Sequence, residues 1–118
     1  MAKPTQFLLY VCEHLAPLGQ VRYRAMFGGW GIYLDDQFCA IVHRDALYFK
    51  ADDVTRAAFE AGGSHPFKPF ADKPMALSYY EAPAAVFEDG AEMLAWGHRA
   101  LDAALRGRGK KSFKPRKG

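Results

Sequence analysis

The apolar positions of this chain follow two spacings, and the switches between them mark out the elements. From Thr5 to Ala16, Phe7, Leu8, Val11, Cys12 and Leu15 recur as i, i+1, i+4, i+5 and i+8, one face of a helix, with Gln6, Glu13 and His14 on the polar side. Thr5 stands where an N-cap is needed, and Pro17 and Gly19 close the helix. The period then drops to two. Gln20 to Met26 alternates Val21, Tyr23 and Ala25 against Arg22 and Arg24, predicting a strand with one face on the core and one in water. Trp30 to Leu34 and Phe38 to His43 are rich in β-branched and aromatic residues and flank Asp35-Asp36, which predicts a hairpin. Arg44-Asp45 turns the chain again into Ala46 to Ala51. Phe38 to Val42 is apolar on both faces, as a central strand is.

Helical spacing returns at Asp53 to Ala61, with Val54, Ala57, Ala58 and Ala61 as the expected stripe, Asp52 as cap and Gly62-Gly63 as the stop. Ser64 to Pro74 carries three prolines around Phe67 and Phe70, which predicts a stiff, ordered loop and a candidate contact site. Met75 to Glu81 reads as a last strand. Asp89 to Leu105 reads as a long helix with a stripe of Leu94, Gly97, His98, Leu101, Ala104 and Leu105, and with Trp96, Ala100 and Ala103 beside it. Gly97 inside it costs about 1 kcal/mol against Ala, so it marks a close contact. The pattern predicts an α+β fold of two layers. Its order is helix, four-strand meander, short helix, strand, long helix, with an antiparallel sheet of about five strands covered by helices. Residues 1–106 make the domain, and 107–118, basic and poor in apolar residues, are expected as a disordered tail.

Three glycines, Gly28, Gly29 and Gly31, lie where the first strand must reverse into the hairpin. They supply positive φ there, or they let another backbone come close. A phosphate cradle is the competing reading. It lacks a following Lys-Ser/Thr and a helix start to hold the anion, so the structural turn is preferred.

Charge changes the picture at one end. The net charge of +3 comes from sixteen Lys and Arg against thirteen Asp and Glu, but seven of the sixteen fall from Arg106 onward with no acid among them. The remainder holds nine basic against thirteen acidic residues, a net of −4. An acidic domain with a basic end follows, and the overall charge is no argument for a nucleic-acid-binding domain. No apolar run approaches the ~20 residues of a membrane span, and the N-terminus lacks a small-residue cleavage site, so a cytoplasmic protein is expected. Cys12 and Cys39 lie inside apolar patterns, as buried thiols do, and with four scattered His they give no metal-ligand spacing. Asp52-Asp53 is explained by capping rather than acid–base work. Cys39 and His43 are too far apart along one strand to form a nucleophile–base pair. No catalytic, cofactor or metal residues are assigned.

Met26-Phe27-Gly28-Gly29 with the aromatic that follows and Gly31, then Leu47-Tyr48-Phe49-Lys50, Ser78-Tyr79-Tyr80-Glu81-Ala82-Pro83 and Leu94-Ala95-Trp96 with Ala100-Leu101 resemble the TfoX N-terminal domain family of bacterial competence regulators. The resemblance runs over about residues 5 to 105. It implies a compact α/β domain without known enzymatic activity and with a regulatory or interaction role. Family members are linked to transcription, to the cyclic-AMP receptor protein and to RNA polymerase. Longer members carry a second domain for which this chain is too short.

Three functions compete. A non-enzymatic regulatory domain that binds a protein, with the transcription machinery as partner and a homodimer as a further option, ranks first. Its candidate contact residues are Arg22, Arg24, Trp30, Tyr33, Phe67 and Phe70. Non-specific nucleic-acid binding through Arg106, Arg108, Lys110, Lys111, Lys114, Arg116 and Lys117 is the alternative. An enzyme built on Cys39 or His43 ranks last.

Overall fold

The computed structural model describes residues 3–26, 28–66 and 79–113, with only the backbone of 108–113. Helix α1 (Gln6–Leu15) starts where the sequence places its cap, with Thr5 Oγ1 accepting from the Leu8 N–H at 3.1 Å. A 3₁₀ turn over Ala16–Leu18 leads into strand β1 (Val21–Met26). Strands β2 (Gly29–Leu34), β3 (Gln37–His43) and β4 (Ala46–Lys50) follow as a meander, then helix α2 (Arg56–Ala61), strand β5 (Tyr79–Glu81), a 3₁₀ turn at Ala84–Phe87 and helix α3 (Gly90–Phe113). The five strands form one antiparallel sheet in sequence order, β1-β2-β3-β4-β5. This is the α+β architecture that the periodicity predicts.

Both predicted hairpin turns are two-residue turns with positive φ throughout: 50° and 66° at Asp35 and Asp36, 52° and 60° at Arg44 and Asp45. Turns of this hand match the twist of the strands they join, and Asp tolerates them better than most residues. Between β2 and β3 the register shifts after Ile32. Ala40 faces Ile32 and Phe38 faces Tyr33, which leaves Cys39 as an extra residue.

The main core lies on one face of the sheet. Leu8, Val11 and Leu15 of α1, Phe59 of α2, and Met93 and Ala100 of α3 meet Ile32, Leu34, Ala40, Val42, Leu47 and Phe49 there. Gly97 lets α3 sit close: a Cβ on it would stand 2.7 Å from Leu15 and 2.8 Å from Leu18. The close contact expected at Gly97 is therefore present. On the opposite face Ile41 and Tyr79 form a second, small cluster with Phe38 and Tyr48.

Four local expectations are corrected. Helix α2 begins at Arg56 rather than Asp53, because Asp52 first closes a turn, accepting from the Val54 and Thr55 N–H groups. Val54, placed in its buried stripe, is 70% exposed, and Phe59 is the side chain the helix buries. The α3 stripe is narrower than expected: Gly97 is buried and Leu101 and Ala104 pack against the core, with Met93, Ala100 and Ala103 buried beside them, whereas His98 and Leu105 face solvent. Finally, α3 does not stop at Leu105 but carries the basic segment as far as Phe113. Lys and Arg are good helix formers and complement the negative end of the helix dipole. Residues 114–118, the Phe67–Pro74 part of the proline-rich loop and the Met75–Ser78 part of the last strand lie outside the described residues.

Candidate interaction surface

Strand β1 ends the sheet, and the core does not reach across it. Its alternation predicts one buried face, yet Arg22, Tyr23, Arg24 and Ala25 are exposed in succession. Register sets their directions. Arg22 lies opposite Tyr33 and Arg24 opposite Gly31, so both arginines stand on the face away from the helices. Tyr23 and Trp30 are on the helix side, edge to face with ring centroids 5.5 Å apart, and Trp30 packs against the main core. Trp30 and Tyr33, both candidate contact residues, therefore point to opposite faces.

On the arginine side an aromatic row crosses the strands. Tyr33 stacks on Phe38 at 5.1 Å, and Phe38 meets Tyr79 at 5.2 Å. The Lys50 ammonium lies 5.4 Å from the centre of the Tyr79 ring, and the Tyr79 hydroxyl donates to the Phe38 carbonyl at 3.3 Å. Burial pushes the Tyr79 hydroxyl pKa well above its usual value, so it stays a donor. Phe38, Lys50 and Tyr79 were not among the candidates from sequence. Strand order brings them together, and local pattern carries no sign of it. An open recess of about 570 Å³ borders Asp36, Gln37, Phe38, Lys50, Tyr79, Ala104 and Gly107. A smaller one, about 270 Å³, lies along Arg22, Tyr23, Arg24, Tyr33 and Asp36.

The glycines divide their labour. Gly28 has φ of 77°, a left-handed conformation that favours glycine. Gly29 is an ordinary strand residue whose added Cβ would run into the Val42 carbonyl oxygen, so it serves close backbone approach. At Gly31 the space of a side chain is taken by Met26 and Phe38. Only Gly28 of the three lies in the turn; Gly29 and Gly31 belong to β2.

Of the basic candidates, Arg106 is engaged within the fold. Its Nε donates to Asp52 Oδ2 at 2.6 Å and its Nη2 to Asp52 Oδ1 at 3.0 Å. Arg108, Lys110 and Lys111 lie on the last turns of α3. Lys114, Arg116 and Lys117, like Phe67 and Phe70, are outside the described residues.

Cys39 is fully buried, and burial pushes its thiol up to about 12; Cys12 is pushed to about 11 for the same reason. Neither offers a thiolate at neutral pH. Among the described residues no three His, Cys, Asp or Glu side chains converge as a metal cage requires. No helix of the described residues is long and apolar enough to cross a membrane.

Comparison with known proteins adds the family. The profile of the TfoX N-terminal domain matches residues 13–104. Protein Sxy of Escherichia coli (strain K12) is 27% identical over 99 residues, an overlap that takes in 80% of this chain and 46% of Sxy. The chain thus spans about half the length of the curated relative it matches. A match to the family profile over most of the chain, on an α+β fold whose sheet order agrees with the sequence pattern, shows that the chain belongs to the TfoX N-terminal domain family.

Proposed function

We propose that this chain is a non-enzymatic regulatory domain that acts by binding a protein, in a system related to bacterial competence regulation and in the cytoplasm. The observation that carries the reading is β1: a six-residue edge strand with four exposed residues in a row, bearing two arginines and a tyrosine. Exposed rings and arginines are the residue types that dominate protein contacts. Buried, protonated thiols speak against nucleophilic chemistry. The transcription machinery is the partner class that the family resemblance suggests.

Sedimentation velocity of the labelled full chain tests this, with RNA polymerase and cyclic-AMP receptor protein purified from its host, and separately with labelled duplex DNA. Co-sedimentation with a protein is the expected result. Binding only to duplex, retained after removal of residues 107–118, would make the folded domain a nucleic-acid reader instead.

The second reading is nucleic-acid binding by the basic end. It is favoured by one observation: α3 carries the basic segment beyond the core as far as Phe113. Such contacts are electrostatic and carry no sequence preference.

A further inference from the structure

The proposal rests on the reading that the domain binds a protein, and it concerns where and what. Along an antiparallel pair, residues that exchange backbone hydrogen bonds alternate with residues whose N–H and C=O face away. The Asp35 N–H donates to the Gln20 carbonyl at 2.9 Å, one step before the Val21–Leu34 pair. The bonded set therefore continues at Arg22, Arg24 and Met26. Val21, Tyr23 and Ala25 turn their N–H and C=O groups outward, at the free edge of the sheet.

Exposed edges are usually blunted by proline, a bulge or a covering segment. Strand β1 has no proline, its register with β2 is unbroken, and its middle is exposed. Among the described residues its protection is charge, and charge is selective. Arg24 has no carboxylate partner among the described residues. Arg22 lies 3.6 Å from Asp36, but both are largely exposed, and such a pair is weak. Asp36 sits at the Val21 end of the strand, so the uncompensated positive charge lies toward Arg24.

A second copy of the chain is a poor occupant. Antiparallel pairing about a dyad normal to the sheet puts residues of one face opposite each other. In each register centred on Arg22, Tyr23 or Arg24, an arginine of one copy then meets an arginine of the other. Like charges directly opposite are destabilising in a sheet. The same geometry favours carboxylates at every second position of an incoming strand.

We propose that β1 accepts, as a sixth antiparallel strand, an extended segment of a partner protein with acidic residues at alternate positions. Its carboxylates face Arg22 and Arg24 on the Tyr33 side of the sheet. Intervening apolar residues lie beside Tyr23 on the other side. Backbone bonds to Val21, Tyr23 and Ala25 provide the affinity, and the two arginines select for acid.

The test uses a synthetic decapeptide alternating Glu with Val and Thr, titrated into the ¹⁵N-labelled full chain. The expected result is slowed amide exchange at Tyr23 and Ala25, with intermolecular contacts mapped to β1. A peptide with Lys in place of Glu should not bind. Ala25→Pro removes one outward N–H without touching the β1–β2 bonds, and Arg24→Glu reverses the selecting charge. Each should weaken binding by roughly ten-fold, about the loss of one backbone hydrogen bond for Ala25→Pro and of one charged contact for Arg24→Glu. Should Ala25→Pro fail to fold, Arg24→Glu at unchanged melting temperature decides alone. No binding of the Glu peptide, equal binding of the Lys peptide, binding mapped elsewhere, or duplex DNA protecting β1 in its place would each overturn the proposal. A protein partner whose binding survives both variants overturns it too, but leaves the domain a protein-binding module. Absence of any protein partner removes that wider reading.

Discussion

Arg106 and Asp52 form a two-pronged ion pair, 2.6 Å and 3.0 Å, that ties α3 to the turn between β4 and α2. Asp52 also accepts from the N–H groups of Val54 and Thr55 and from the Thr55 hydroxyl. One carboxylate thus fixes the start of α2 and the far part of α3. The Arg106 hydrogen bond is the main reason its pKa is lowered, from the usual 3.8 to about 2, with the turn's N–H groups adding to it and partial burial opposing.

This carboxyl is more acidic in the fold than in the unfolded chain, so its contribution is full above about pH 4 and fades as pH falls toward about 2. Arg106→Ala should lower stability at pH 7 by about 1 kcal/mol, discounted from the full shift because the pair is partly exposed and screened. The difference between wild type and variant should shrink as pH falls below about 4 and be lost only below about pH 2. Urea unfolding at several pH values measures it; a difference as large at about pH 2 as at about pH 7 would mean that Arg106 acts through packing rather than charge.

Gly29 and Gly28 should fail for different reasons. Gly29→Ala presses a Cβ onto the Val42 carbonyl within the β2–β3 pairing, and a loss of about 2 kcal/mol or more is expected from the steric conflict. Gly28→Ala meets nothing closer than 3.9 Å and suffers only its φ of 77°, worth about 1 kcal/mol. Thermal melts of the two variants check the order. Equal melting temperatures would contradict it.

The second hairpin turn carries removable strain. Arg44 and Asp45 both have left-handed backbones, where Asn-Gly is the favoured pair. Arg44→Asn with Asp45→Gly should raise stability by about 1 kcal/mol, several degrees of melting temperature for a domain this size. Calorimetry that found no gain would mean that the native side chains contribute contacts of their own.

Nucleic-acid binding, where it occurs, should be weak and lie beyond Arg106, because Arg106 is held by Asp52. The six remaining charges give a slope of log K against log salt of at most about −5 on duplex DNA. Removing 107–118 should abolish binding and leave the melting temperature nearly unchanged, since the core contacts of α3 among the described residues precede that point. Titration of labelled duplex at two salt concentrations checks both statements.

Much of the fold was legible because its local signals agree. Asp35-Asp36 and Arg44-Asp45 separate runs that can only be strands, and Thr5 caps the helix it precedes. The errors have a common cause. Periodicity weighs large apolar residues, yet α3 approaches the core through Gly97, Ala100 and Ala103, so its stripe was drawn too wide and took in the exposed His98 and Leu105. In β1 the alternation reads as a half-buried strand, but an edge position leaves Arg22 to Ala25 open. The ring row of Tyr33, Phe38 and Tyr79 joins residues 41 positions apart, and the Arg106–Asp52 pair spans 54. Long-range partners of this kind follow from strand order and helix placement, which local spacing does not encode.

Photo-crosslinking from β1 in cells of the native host tests the central claim most directly. Benzoylphenylalanine at Tyr23, an exposed edge position, should on irradiation give a discrete adduct that protease destroys and nuclease does not. The adduct should be lost when Arg22 and Arg24 are both replaced by Glu. An adduct sensitive only to nuclease, or none from β1 while one forms from another surface of the domain, would contradict a protein-binding role for this edge.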